Sequence, residues 1–285
     1  MRRESAYMFT NYVHNPAPAF VAPEHHKARP SFIRKLCNFA SKRKVWKWEG
    51  FYGLQPINPQ TLKPIRRQRH FNLHRGRAIQ AVTEAIAHHL NTVTGIAQVS
   101  VEMLAHQCGL ATKSAAGNES ITRASRAVLT LEEYGILKCE KVWDRTAGTW
   151  IPKLIEITPA FIRMCGLSDD EYEAAQRQQL GFQKRGLSLA DAEQLTITEA
   201  RRRARENHRR IAFERRQKQN KDHAARRLAK KLATKSLDEQ RHEITKSLVK
   251  RLGRDELISL GPEGVKELVD RELGRLRRIA DSPPI

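Results

Sequence analysis

Arg123 and Arg126 lie three residues apart in the run ITRASRAVLTLEEYG (121–135), with Thr122 and Ser125 beside them. On a helix that spacing sets both guanidiniums on one side. Such a pair suits hydrogen bonding to base edges or phosphates, not bond-breaking chemistry. Residue patterns for catalysis are missing. His25-His26 and His88-His89 are adjacent pairs and no His-x-His occurs, so a metal site serving a tyrosine nucleophile, as in a nicking enzyme, is not indicated. His88 and His89 read as residues that compensate a helix dipole, because neighbours in a helix face different ways. No GxxxxGK[ST] run is present, which argues against an ATPase or helicase. Cys37, Cys108, Cys139 and Cys165 are far apart with no CxxC, which disfavours a zinc site or disulfide scaffold and fits a reducing cytoplasm. The expectation is a chain that is not an enzyme and needs no cofactor or metal.

Charge supplies the partner class. The 285 residues carry 52 Lys and Arg against 31 Asp and Glu, a formal charge of +21. Self-repulsion of that size calls for a polyanion. It is unevenly placed: residues 1–98 carry +12, residues 99–198 carry −2, residues 199–235 carry +11 and residues 236–285 are neutral. The last basic block holds 15 basic and 4 acidic side chains, including Arg201, Arg202, Arg203, Arg205, Arg209 and Arg210. A helix with bases all round cannot bury itself in a core, so it is expected to stay free until a phosphate backbone is present. Mean hydropathy is −0.61, no apolar run is long enough to span a membrane, and the N-terminal residues do not read as a secretory signal.

The elements that must position Arg123 and Arg126 follow from periodicity. Ser31 is expected to cap a helix with Phe32, Ile33, Leu36, Phe39 and Ala40 on its apolar side. Residues 49–64 read as a loop. Residues 75–91 form an amphipathic pattern through Ile79, Val82, Ile86 and Leu90. Ser100 caps a short helix that Gly109 ends. Ser120 is expected to start a second helix, with Ile121, Ala124, Val128 and Leu131 buried and Gly135 closing it. Two strand patterns follow, 136–143 and 149–158, around the turn DRTAG. Ser168 and the acids after it begin another helix. Residues 189–252 read as long helix broken near 234–238, and Gly261-Pro262 precede a final helix. Helix, glycine turn, helix and hairpin is the winged-helix order, in which the second helix enters the major groove. The fold class is therefore mainly α with a small β-hairpin: a winged-helix DNA-binding domain plus long basic C-terminal helices. Candidate DNA contacts are Lys113, Ser120, Thr122, Arg123, Ser125 and Arg126, with Arg145 at the hairpin tip and the six arginines of the basic block.

The run CGLATKSAAGNESITRASRAVLTLEEYGIL, with WIP at 150–152, resembles the RepA replication initiators of IncFII-type plasmids and their relatives. The Asn15-Pro16, Pro18, Phe20 segment and the Arg-rich run at 201–216 also match; the likeness is dense over 98–160, with departures at 40–75 and after 235. The resemblance implies a cytoplasmic, plasmid-associated initiator that binds its origin in double-stranded DNA, engages host replication initiation proteins, self-associates on DNA and sets copy number. It implies no membrane partner. A winged-helix transcriptional repressor and an RNA-binding protein stay open as alternatives. The repressor has less use for a basic arm of +11. The RNA reading is weakened by a 6% aromatic content with no visible stacking cluster. The segments read as an N-terminal arm and short helix (1–64), the winged-helix domain (65–160) and a basic helical region (161–285).

Overall fold

The computed structural model describes residues 14–23, 29–67, 69–114, 119–140, 143–144, 149–150, 154–252 and 254–281. The chain is mainly helical with a small antiparallel sheet, and it falls into two compact units, Met1–Arg210 and Ile211–Ile285. The first opens with α1 (Ser31–Lys42), a 3-10 turn at Val45–Lys47 and the one-turn α2 (Gly50–Gly53). Then come α3 (Leu73–His88), β1 (Ile96–Ala97), α4 (Val101–Gln107), β2 (Thr112–Lys113), β3 (Glu119–Ser120) and α5 (Thr122–Glu133). The strands β4 (Leu137–Glu140), β5 (Trp143–Asp144), β6 (Thr149–Trp150) and β7 (Leu154–Ile157) precede α6 (Pro159–Cys165), α7 (Asp169–Lys184) and α8 (Leu189–Gln194). Residues 197–210 of α9 (Ile197–Ala233) complete this unit.

The centre of the first unit is α3. Its expected apolar positions Ile79, Val82 and Ile86 are buried, and so is Leu90, which lies just beyond the helix end at His88. Ala78, Ala81, Ala85 and Ala87 are buried as well, so the helix is covered on more than one side, by α1, α4 and α5, and is not a simple amphipathic surface helix. Alanine makes this possible, because it lets neighbouring helices approach closely without a side chain to displace. Segments 1–64 and 65–160 and the start of 161–285, read apart in the sequence, contribute to one core: Ile33, Leu36, Ala40 and Val45 belong to it with Leu104, Val128, Leu131 and Phe161. The sheet order is β1-β7-β4, antiparallel throughout, with Ile155 of β7 opposite both Ala97 and Cys139. Alternation along β4 and β7 sends Leu137, Ile155 and Ile157 inward and leaves Lys138, Glu140 and Glu156 on the outer face.

Local signals account for most boundaries. Ser100 Oγ accepts from the Met103 amide and caps α4. Ser168 and Glu171 form a reciprocal capping box at α7, and Ser236 and Glu239 form another at α10 (Leu237–Arg251). Gly109 (φ +62°) and Gly135 (φ +65°) take the left-handed backbone that ends α4 and α5. Two expected caps fall elsewhere. Pro30, with no side-chain cap, precedes α1, and Ser31 is its first residue. Ser120 lies in β3 and Ile121 occupies the N-cap of α5, because β2 and β3 pair as a short ribbon where the sequence reads as a loop.

The second unit holds residues 211–233 of α9, then α10 and α11 (Arg254–Asp281), around Ala229, Leu232, Ile244, Leu248, Val269, Leu273 and Leu276. The expected break at 234–238 falls between α9 and α10. The Gly261-Pro262 break is a kink, with Gly261 at φ 62°, ψ 177° inside α11.

Candidate nucleic-acid interface

The turn between α4 and α5 and the first turns of α5 gather six of the thirteen expected contact residues. Leu110 N donates to Ala105 O at 2.7 Å and folds the chain back after Gly109. Thr112 and Lys113 then pair with Ser120 and Glu119, and the imidazole of His106 meets the Glu119 carboxylate at 2.9 Å. The ribbon therefore delivers the chain directly into α5. Lys113, Ser120, Thr122 and Arg126 are all exposed along it and the first turns of the helix, and Ser125 is half-buried. Ser120 and Thr122 hydroxyls hydrogen-bond each other at 2.9 Å. Ala124, Ala127, Val128 and Leu131 are buried on the opposite side, which fixes the rotation of the helix. The expected orientation of α5 is thus the observed one. Arg145 lies outside the described residues.

Arg123 is held by the protein itself. Its Nη1 donates to Asn15 O at 2.8 Å, and burial lowers the guanidinium's pKa. Asn15 in turn donates through Nδ2 to Gly109 O at 3.1 Å and accepts the Ala17 amide on Oδ1. Arg77 Nη1 donates to Pro16 O at 2.9 Å, Val21 N donates to Gln107 O at 2.9 Å, and the Phe20 ring lies 5.1 Å from that of His88. Residues 15–21 thus form a strap across the ends of α3 and α4 and the start of α5. Only the Asn-Pro turn signal hints at it in the sequence. A Cβ on Gly109 would stand 2.7 Å from Asn15 Nδ2, so a side chain there would force the Asn15 amide to shift. His88 does close α3, whereas His89 is buried and meets Gln107 Oε1 at 2.7 Å, tying α3 to α4.

The basic block departs furthest from expectation. Arg201, Arg205 and Arg209 recur at every fourth residue and so share one face of α9. Arg201 Nε donates to Thr94 O at 3.0 Å, Arg205 Nη2 meets Glu156 Oε2 at 2.7 Å, and Arg209 Nη2 meets Glu140 Oε1 at 3.2 Å. The first turns of α9 are therefore docked on the outer face of the sheet and not free. The reason is charge: two carboxylates on that face meet an arginine row of matching pitch. Arg202 and Arg203 share Glu199, whose carboxyl is drawn down to about 2 by hydrogen bonds from Arg202 and then Arg203. Arg202 also meets Glu206 at 2.6 Å, and Arg210 donates to Asn207 at 2.8 Å. Arg202, Arg203, Arg209 and Arg210 keep exposed surface, whereas Arg201 and Arg205 are half-buried. The missed partners, Glu140 and Glu156, had one available signal, their even spacing on the polar sides of two strand patterns.

Among the described residues no three His, Cys, Asp or Glu side chains gather to hold a metal, and no helix is long and apolar enough to cross a membrane. Set beside known proteins, the chain falls in the class of plasmid replication-initiation and replication-associated proteins. It belongs to the IncFII RepA protein family, whose match spans residues 8–281. A "Probable replication-associated protein repA1" from Buchnera aphidicola subsp. Schizaphis graminum is 38% identical over 271 residues, covering 95% of this chain and 96% of that protein. The repA1 protein of the Acyrthosiphon pisum strain is 36% identical over 270 residues, covering 94% and 95%. A "Replication initiation protein" of Escherichia coli is 34% identical over 206 residues, covering 70% of this chain and 69% of that one. No solved structure matches.

Proposed function

We propose that residues 73–157 act as a winged-helix domain that reads the plasmid's origin in duplex DNA and so starts replication. The observation that carries this reading is the order α3-β1-α4-α5-β4-β7 with sheet order β1-β7-β4, which leaves the first turns of α5 exposed and flanked by Lys113. In this reading α5 enters the major groove, with Arg126 on a base edge and Thr122, Ser125, Ser120 and Lys113 on base edges or phosphates. Arg145 takes backbone phosphate. Arg123 contributes mainly by holding the strap against α5. Arg202, Arg203 and Arg210 add non-specific affinity, while Arg201, Arg205 and Arg209 hold α9 to the sheet. The chain supplies recognition and no catalysis. Bound at the origin, it associates with further copies and recruits host initiation proteins, so its abundance governs copy number.

A mobility-shift titration with the DNA downstream of the coding sequence, against a scrambled duplex, tests the core of this reading. Arg126→Ala should weaken specific binding by about 1–3 kcal/mol and relax preference at one or two base pairs. Equal loss on both duplexes would assign Arg126 to the backbone. No preference for the origin duplex by the unaltered protein would refute the reading.

A further inference from the structure

At the C-terminal end of α5 a cleft of about 630 Å³ opens between the 3-10 turn, α2, Ile65, Arg67, residues 69–71 and Tyr134. Tyr134 follows Arg123 by eleven residues, which places the cleft roughly 16 Å further along the helix axis. Its floor is aromatic. Phe51 makes edge-to-face contacts with Phe71 and Tyr134 at centroid distances of 5.0 and 4.9 Å. Its rim is also aromatic but open. Tyr52 is 63% exposed and touches His70 at 4.9 Å. Cations complete the lining: Lys47, Arg67 and Arg69. Among the described residues no carboxylate lines it.

The Arg67 guanidinium stacks 4.4 Å from the centroid of Phe71, yet its Nη1 is buried with no hydrogen-bond partner among the described residues. Arg75 also lies over Phe71, 5.8 Å from its centroid, and donates through Nε and Nη2 to Thr130 Oγ1. Its pKa is lowered first by burial and then by the nearby Arg67 charge. Two like charges and an orphan donor on an aromatic floor call for an acceptor-rich, anionic, flat ligand.

We propose that this cleft binds single-stranded DNA, with an unpaired base stacked on Tyr52 and the adjoining phosphates or base carbonyls taken by Arg67 and Arg69. A base within a duplex has both faces covered by its neighbours, so the exposed Tyr52 ring can receive one only after strands separate. Stacking with flanking cations is the general chemistry of single-strand binding and does not depend on sequence. An acidic peptide would satisfy the cations but has less use for several edge-on rings. DNA is preferred to RNA because the chain belongs to a family of DNA replication proteins. The inference stands apart from the duplex reading of α5, since the residues do not overlap.

The test uses the full-length protein and labelled dT12, followed by anisotropy and by quenching of tryptophan emission, since Trp46 lines the cleft. Parallel arms use rU12, an acidic Phe-containing peptide and the origin duplex. dT12 should bind, and Tyr52→Ala should weaken it by roughly 5- to 150-fold, the loss of one stacked base. Tyr52→Phe should stay within about twofold of the unaltered protein, because the ring is kept. The origin duplex should bind all three alike, and Arg69→Ala should flatten the salt dependence for dT12 only. Absence of dT12 binding, or Tyr52→Ala binding dT12 unchanged, overturns the proposal. So does equal loss on the duplex, or a Tyr52-dependent preference for rU12 or the peptide over dT12. Unaltered melting of the Tyr52 variants excludes misfolding as the cause of any loss.

Discussion

Arg205→Ala separates the two roles open to the basic block. Arg205 Nη2 stands 2.7 Å from Glu156 Oε2, and the Glu156 side chain is only 15% exposed on the central strand, against 36% for Arg205. Removing the arginine strands a largely covered carboxylate. A hydrogen bond to a charged group contributes about 1.5–3 kcal/mol. The arginine's own exposure and salt screening pull this down, to about 1–2 kcal/mol. With a urea slope of about 2–3 kcal/mol per molar, the midpoint should fall by roughly 0.5 M. Glu156→Gln in the same background should recover part of the loss, because the stranded charge is gone. The coupling from the full cycle should be about 1–2 kcal/mol. All four tryptophans (46, 48, 143 and 150) lie in the first compact unit, so tryptophan emission reports its unfolding without the second. That matters because two units need not unfold together. DNA affinity and its salt slope should change little below the transition. An unchanged urea midpoint with a flattened salt slope would refute the docking of α9 and return Arg205 to the phosphates.

Leu131, fully buried between α5 and the rest of the core, should cost about 2–5 kcal/mol when replaced by Ala, with tryptophan-detected stability and DNA binding lost together; lost binding at unchanged stability would mean α5 is rotated. The Cys108 thiol is pushed up to about 12, first by burial and then by Glu84, so at pH 8 only about one thiol in 10⁴ is ionised. Iodoacetamide should leave it unmodified in the native protein and reach it in urea, and mass mapping of alkylated peptides decides the matter. Glu199 titrates low, near 2, so its helix-end contacts should be intact above the ordinary carboxylate value of 4.5 and be lost as pH falls through about 2. A carboxyl NMR titration should show that midpoint, moving up toward 4.5 in Arg202→Ala; a midpoint already near 4.5 in the unaltered protein would remove the Arg202 and Arg203 contacts.

Much of α5 and its setting was legible in the residues. Ser100, Gly109 and Gly135 mark helix ends through their own backbone chemistry, and the stripe Ala124, Val128, Leu131 sets the rotation of α5 through the helical period alone. These are short-range rules, obeyed within one or two turns. Ser120 shows their limit: its N-cap signal yields to the β2–β3 ribbon, a pairing made across eight residues.

Charge, too, was countable from the sequence, but not its use. Fifteen basic residues in 199–235 establish a demand for anions, and only packing decides which anions answer. Arg205 finds Glu156 from 49 residues away, and Arg123 finds the backbone of Asn15 from 108 away. The aromatic cleft is the same case. Its rings come from Trp46, Phe51, Tyr52, His70, Phe71 and Tyr134: the run WKWEGFY (46–52) was a local signal that a 6% aromatic content obscured, and only the fold adds Phe71 and Tyr134 to it. Periodicity and capping are properties of a local backbone and are written in neighbouring residues. The partner of a charge or a ring is whichever group the folded core brings within a few ångströms, and for Arg123, Arg205 and Tyr52 only the tertiary structure determined it.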